Sequence, residues 1–181
     1  MNLQPSFVNT HAAMTPANKV VVLTIDGLRL ILPQGDIRTV ESVTDIDTAN
    51  RPPLALGTMP WGGQLWPVYC LSGELALLSG APAARRACVM LATPAGCLGL
   101  LCDDARVLVN FAQQSFAMPD SMRQENSPLI ALVNYEEGLA CITDAQRLGG
   151  YIVANIGANI GANTSAIENA DVEIGLAETT G

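Results

Sequence analysis

Residues 51–74, RPPLALGTMPWGGQLWPVYCLSGE, run without a charge from Pro52 to Gly73. So long an uncharged run first suggests a membrane helix. A lipid-spanning segment needs ~20 apolar residues in an unbroken helix, because lipid offers its backbone no other partners. Here Pro52, Pro53, Pro60 and Pro67 alternate with Gly57, Gly62, Gly63 and Gly73, and no helix survives that spacing. The stretch therefore reads as a turn, a tight corner at Gly62-Gly63, and a buried strand over residues 64–70. Leu71 then opens a segment able to form two helical turns to Leu78, stopped by Gly80-Ala81-Pro82.

Outward from this centre the pattern is β-rich. Residues 20–32, VVVLTI-DG-LRLIL, are two apolar runs joined by Asp26-Gly27, a pair in which both turn residues tolerate positive φ, and they predict a hairpin. After Pro33-Gln34-Gly35, Ile37, Thr39 and Glu41 alternate with Arg38, Val40 and Ser42 as a third strand. Residues 44–53 form a polar loop. In the second half, residues 86–93, 97–102 and 105–110 read as strands, separated by Thr93-Pro94-Ala95-Gly96 and by Asp103-Asp104. Residues 113–128 read as a loop. Residues 129–134 and 139–143 make a last hairpin, and Asp144 caps a short helix that ends at Gly149-Gly150.

The ends differ from this body. Residues 1–18 are polar and aperiodic, a flexible lead-in. Residues 154–163 read ANIGANIGAN, a repeat too short for a solenoid unit of ~20 to 50 residues, and the following residues are small and acidic. The division expected is a flexible segment 1–18, a domain 19–152 and a flexible acidic tail 153–181, so that removing residues from Tyr151 onward should leave the fold intact.

Of 181 residues, 49% are hydrophobic and 14% charged, ample material for a core. Seventeen acidic against nine basic residues give a net charge of −8. Lys19 is the only lysine, so nucleic acid is a poor partner. The five cysteines, Cys70, Cys88, Cys97, Cys102 and Cys141, sit in apolar company without a C-x-x-C pair. They read as reduced, buried thiols and not as zinc ligands. The absence of a basic region followed by an apolar core at the N-terminus adds the expectation of a cytoplasmic protein with no membrane insertion.

Gly57, the Gly62-Gly63 pair five residues on, Pro67-Val68 and Leu71 resemble the motif G-x-x-x-x-R-G-x-x-x-P-[VI]-x-D-L of CheW-like chemotaxis adaptor domains. Gly62 stands where that family usually has arginine, and Cys70 where it has aspartate. Ile37-Arg38-Thr39-Val40 resembles the family's V-R-E-V segment, with Thr39 in place of glutamate. Residues 98–108, LGLLCDDARVL, resemble V-G-L-V-V-D-x-V-x-E-V, with Gly99 and Asp103 in place. The resemblance runs in order from about Val20 to Leu148. It implies a mainly β fold of two side-by-side five-stranded β-barrel subdomains, with few short helices and a groove between the barrels.

Catalysis finds little to work with. The only histidine, His11, lies in the lead-in, so no Ser-His or Cys-His pair is available from a rigid site. Asp103 and Asp104 are adjacent on a strand and face opposite ways, and read as a solvated strand end. No phosphate-binding glycine loop occurs. The expectation is a non-enzymatic protein without cofactor or metal. The resemblance implies an adaptor that joins a methyl-accepting chemoreceptor to a CheA-type histidine kinase in a chemotaxis or pilus-type array. Ile37, Arg38, Val40, Trp61, Gly62 and Gly63 would form the partner-binding surface, a groove suited to an amphipathic helix. Trp61 reads equally as a core aromatic. The alternative is a module of the same fold with another partner, or a competitor that occupies the kinase without coupling a receptor.

Overall fold

Most strands of this protein are short and apolar, with residues 37–42 and 104–108 as polar exceptions. That composition suits strands buried on both faces. The computed structural model describes residues 19–120, 123 and 126–175, with side chains of the last helix to residue 160. The segment 1–18, including His11, lies outside the described residues.

Among the described residues eleven strands form two sheets, so the fold is mainly β as expected. They are β1 (Val20–Ile25), β2 (Leu28–Pro33), β3 (Ile37–Ser42), β4 (Gly57–Trp61), β5 (Gln64–Cys70), β6 (Ala87–Thr93), β7 (Gly96–Cys102), β8 (Asp104–Leu108), β9 (Ser115–Ala117), β10 (Ala131–Tyr135) and β11 (Gly138–Ile142), followed by one α-helix, α1 (Ala145–Gly175). One sheet has six strands, ordered β8-β1-β2-β11-β10-β9; the other has five, ordered β3-β6-β7-β5-β4. The short β9 is the strand that takes the first sheet beyond five. Most neighbours are antiparallel, while β11 on β2 and β5 on β7 are parallel, so each sheet combines segments far apart in sequence.

Successive residues of a strand point to opposite faces, and over most of β1, β2, β6 and β7 both faces are filled. Val21, Leu23 and Ile25 of β1 join Leu30 and Leu32 of β2, Val89 and Leu91 of β6, and Leu98 and Leu100 of β7 in a central cluster between the sheets. The intervening Val20 and Val22 enter a smaller cluster with Ile31, Val133 and Ala140, all from the six-stranded sheet. Cys88, Met90, Val68, Cys70 and Leu101 belong to a third, supplied by the five-stranded sheet and its connections. Each sheet therefore curls over a core of its own and shares a larger one with its neighbour.

Both predicted two-residue turns form. Asp26 and Gly27 take φ of 47° and 84°, Gly62 and Gly63 of 60° and 78°, the doubly positive geometry that suits right-twisted hairpin strands. The stretch before the Gly62-Gly63 corner, read as a turn, ends in a strand: residues 57–61 form β4, whose Pro60 is tolerated because β4 lies at a sheet edge.

Two helix expectations also change. Residues 71–78 are not helical. Arg85 Nη2 takes the Leu71 carbonyl at 2.7 Å, the acceptor that a helix would give to the Leu75 amide. Leu75 instead donates to the Ser72 carbonyl at 2.9 Å and adopts φ 64°, and Leu71 bridges to Leu77. In the other direction, the helix after Asp144 does not stop at Gly149-Gly150. It continues through the ANIG repeat to Gly175, and Tyr151 packs on the central cluster with Ile152 buried in it and Ile156 against it. Period four lies close enough to the helical 3.6 that Ile152 and Ile156 follow one face, and that burial outweighs the glycines. Truncation at Tyr151 would thus remove core residues.

Candidate functional site

β3 is an edge strand, and its alternation divides the residues read from sequence. Ile37 packs against the central cluster, while Arg38 and Val40 lie on the exposed face, Val40 with 48% of its surface open. Thr39, half-buried, donates its hydroxyl to Glu41 Oε1 at 2.6 Å. Among the described residues Arg38 has no ion-pair partner.

The second group is the β4–β5 corner. Trp61 is half-buried against the core of the five-stranded sheet, so its sequence reading as a core aromatic holds in part. Trp66 Nε1 donates to the Trp61 carbonyl at 3.1 Å across the hairpin. Its ring lies over the β6–β7 turn, where a Cβ on Gly96 would come within 2.5 Å of it. The two turns are thereby held side by side. Gly62, Gly63 and Gln64 are exposed at the tip and Leu65 is 53% exposed beside it, a residue the sequence reading did not select.

The two groups belong to opposite edges of one sheet. Through the ladder, Thr39 shares a row with Met90, Gly99, Val68 and Gly57, five residues before Gly62 along β4. A pocket beside the six-stranded sheet lies elsewhere. It measures about 240 Å³ and is lined by Leu28, Leu75, Leu129, Cys141 and Tyr151 among others, and by none of the six residues.

What joins the sheets is a charge cluster that sequence reading missed. Arg85 is fully buried, yet its guanidinium binds Asp26 by two 2.9 Å hydrogen bonds, Asp103, and the Leu71 carbonyl. Asp103 also accepts from the Asp26 amide at 2.8 Å, and Asp26 from the Gly73 amide at 3.1 Å. The β1–β2 turn, the end of β5, the approach to β6 and the β7–β8 link meet there. The hydrogen bond from Arg85 holds the Asp26 carboxyl below the usual aspartate value. Burial works against the Arg85 charge, but its hydrogen bonds to Asp26 and Asp103 outweigh it and raise its pKa. The reading of Asp103 as a solvated strand end is thus corrected, while its opposition to Asp104 holds: Asp104 pairs with Arg106 on the other face.

Burial pushes the Cys88 and Cys102 thiols up to about 12, and Cys70 and Cys141 also upward. All five cysteines are free. Thiols held in their neutral form are poor nucleophiles and poor metal ligands. Among the described residues no group of His, Cys, Asp and Glu is placed to hold a metal ion, and no helix is long and apolar enough to cross a membrane.

Comparison with known proteins places this geometry. No curated protein sequence matches the chain. The crystal structure of scaffolding protein TtCheW from Thermoanaerobacter tengcongensis superposes with a TM-score of 0.56 at 17% identity, covering 73% of this chain and 92% of that one, and so shares its fold. The family model for the CheW-like domain matches residues 19–150, which take in all eleven described strands. This chain belongs to the CheW-like domain family.

Proposed function

We propose that this protein is a non-catalytic adaptor that couples a chemoreceptor to a CheA-type histidine kinase in a chemotaxis or pilus-type array, acting in the cytoplasm. The observation that carries the reading is the CheW-like match across the whole body. The exposed Arg38–Val40 face of β3 and the uncharged Trp61–Gly62–Gly63 corner are the contact surfaces proposed. Co-sedimentation with receptor-bearing vesicles and a purified CheA-type kinase tests it. The chain should bring both into one pellet, and Val40→Asp should weaken one of the two attachments while leaving the melting temperature unchanged. Failure to bind either partner ends the reading.

One observation favours a second version, in which the chain occupies the kinase without coupling a receptor. Gly62, where the family usually has arginine, sits at φ 60°. A side chain there costs roughly 1–2 kcal/mol of backbone strain, so the corner is built for glycine and not merely lacking arginine. Capture of kinase without receptor would select this version. The paired substitution is informative as well. Thr39→Glu alone sets a second carboxylate beside Glu41, and Gly62→Arg alone strains the turn. A double mutant more stable than the sum of the singles by ~0.5 kcal/mol or more would show that the two positions touch. Additive effects would show that they act apart.

A further inference from the structure

Two connections of the five-stranded sheet border a cavity: residues 43–56 between β3 and β4, and residues 71–86 between β5 and β6. The first connection is seated on β4. The backbones of Asp47 and Thr58 exchange hydrogen bonds of 2.9 Å in both directions, and a Cβ on Gly57 would collide with the Asp47 carbonyl, so the loop lies where only glycine leaves room. The second is tied back by the Leu78 amide, which donates to the Cys70 carbonyl at 2.9 Å. The cavity between them measures about 150 Å³. At ~30 Å³ per water that is room for roughly five waters, or for a small organic molecule.

Its walls are apolar. Leu56 and Leu101 belong to the core cluster of the five-stranded sheet, and Val43 and Ile46 pack against that cluster, so the cavity opens onto the core itself. Its lining carries one charge. Arg51 is exposed there, with Nε donating to the Thr48 carbonyl at 3.0 Å, a bond that ties the guanidinium to the loop. Among the described residues Arg51 has no ion-pair partner. Asp47, in the same loop, gives its Oδ1 to the Ala49 amide at 2.9 Å instead.

An apolar cavity with a single uncompensated cation is complementary to an apolar tail that ends in a single anion. A guanidinium offers a planar fork that matches a carboxylate, and the volume holds the tail to a few carbons. An exposed ion pair alone contributes little in water, and the net charge of −8 disfavours bare anions, so burial of the tail has to supply most of the affinity.

We propose that this cavity binds a short-chain aliphatic carboxylate, with the chain against Leu56 and Leu101 and the carboxylate on Arg51. None of its lining residues belongs to the two partner-contact surfaces proposed above, so the site stands or falls independently of the adaptor reading.

Titration of the isotope-labelled full chain with hexanoate, followed by amide chemical shifts, is the test. Hexanoate should shift the amides of Thr48, Leu56, Gly80 and Ala81 saturably. Acetate keeps the charge but loses the methylenes of the tail, and should bind on the order of a hundredfold more weakly. Hexanol keeps the chain without the charge and should bind roughly five- to tenfold more weakly. Arg51→Gln should weaken hexanoate by a similar factor and leave hexanol as it was. Arg123→Gln, in the other half of the chain, should change neither. Arg51 is exposed, so its variant should keep the melting temperature of the parent. No saturable shift of the cavity amides with hexanoate, equal binding of acetate or hexanol, or hexanoate binding untouched by Arg51→Gln would overturn the proposal.

Discussion

Two clusters in this molecule have nearly the same chemistry and opposite surroundings. In one, the buried Arg85 is held by Asp26 and Asp103 between the sheets. In the other, Arg106 meets Asp104 at 2.5 Å and Glu136 at 3.8 Å, with Arg29 bonded to Glu136 at 3.2 Å and stacked 5.5 Å over the Tyr135 ring, all on the open face of the six-stranded sheet. Asp103 and Asp104 are neighbours in sequence, and the strand pleat sends one to each cluster. The difference teaches that the fold depends on the first and is indifferent to the second. Solvent screens the exposed charges and leaves their side chains mobile, whereas a buried guanidinium stripped of its partners has nothing to replace them.

The largest effect should come from Arg85. Arg85→Leu leaves the Leu71 carbonyl without its donor and removes the cation that four chain segments share. The expected cost is about 3 kcal/mol or more, a fall in melting temperature of roughly 6–12 °C. Denaturant unfolding followed by tryptophan fluorescence would measure it. An Arg85→Leu protein as stable as the parent would mean that the cluster decorates the junction without holding it.

The adjacent aspartates give a sharper, smaller contrast. Asp103→Asn keeps the shape but removes the charge facing Arg85, and should cost roughly 1.5–3 kcal/mol, the scale of a charged hydrogen bond. Asp104→Asn should cost nothing measurable. Equal losses at the two positions would erase the distinction between the clusters.

Acid should act on the same side of the comparison. Because Arg85 lowers the Asp26 pKa in the folded state, the contribution of Asp26 is fully present above the unfolded aspartate value near ~3.9. It is lost as the pH falls through the lower folded value. The Asp26→Asn protein should therefore lose less stability than the parent on going from neutral to strongly acidic solution. An identical pH profile for both would remove Asp26 from the account.

How much of this was legible in the sequence follows from where each signal is local. Asp26-Gly27 and Gly62-Gly63 announce their turns because positive φ is a property of those residues alone. The strands were legible as apolar runs, since burial on both faces removes the alternation but keeps the length. Arg85 was not legible: its partners are 59 and 18 residues away, and nothing near it in sequence marks it as buried. Residues 71–78 looked helical by composition, whereas in the structure the Leu71 carbonyl goes to Arg85 and Leu71 bridges to Leu77. In α1 the glycines and asparagines hid a helix that rests on Ile152 and Ile156. The two motif segments fall on opposite edges of the five-stranded sheet, β3 at one and β4 at the other, a placement set by strand pairings between residues far apart in sequence.

The smallest effect is the most informative about the open cluster. Arg106 is exposed and its two carboxylate partners are exposed as well, so Arg106→Ala should leave the denaturation midpoint within the scatter of replicate measurements. Salt provides a second handle, because a screening length near ~8 Å at physiological ionic strength shrinks to ~3 Å at 1 M. Raising the salt should therefore erase even a slight difference between the parent and Arg106→Ala, while the gap between the parent and Arg85→Leu persists, since the Arg85 guanidinium is shielded from solvent ions. If Arg106→Ala instead lowered stability as much as Asp103→Asn does, and salt failed to close the gap, then the open cluster would clamp β8, β1, β2 and the β10–β11 turn as firmly as the buried one clamps the two sheets. Exposure would then be the wrong variable on which to separate them.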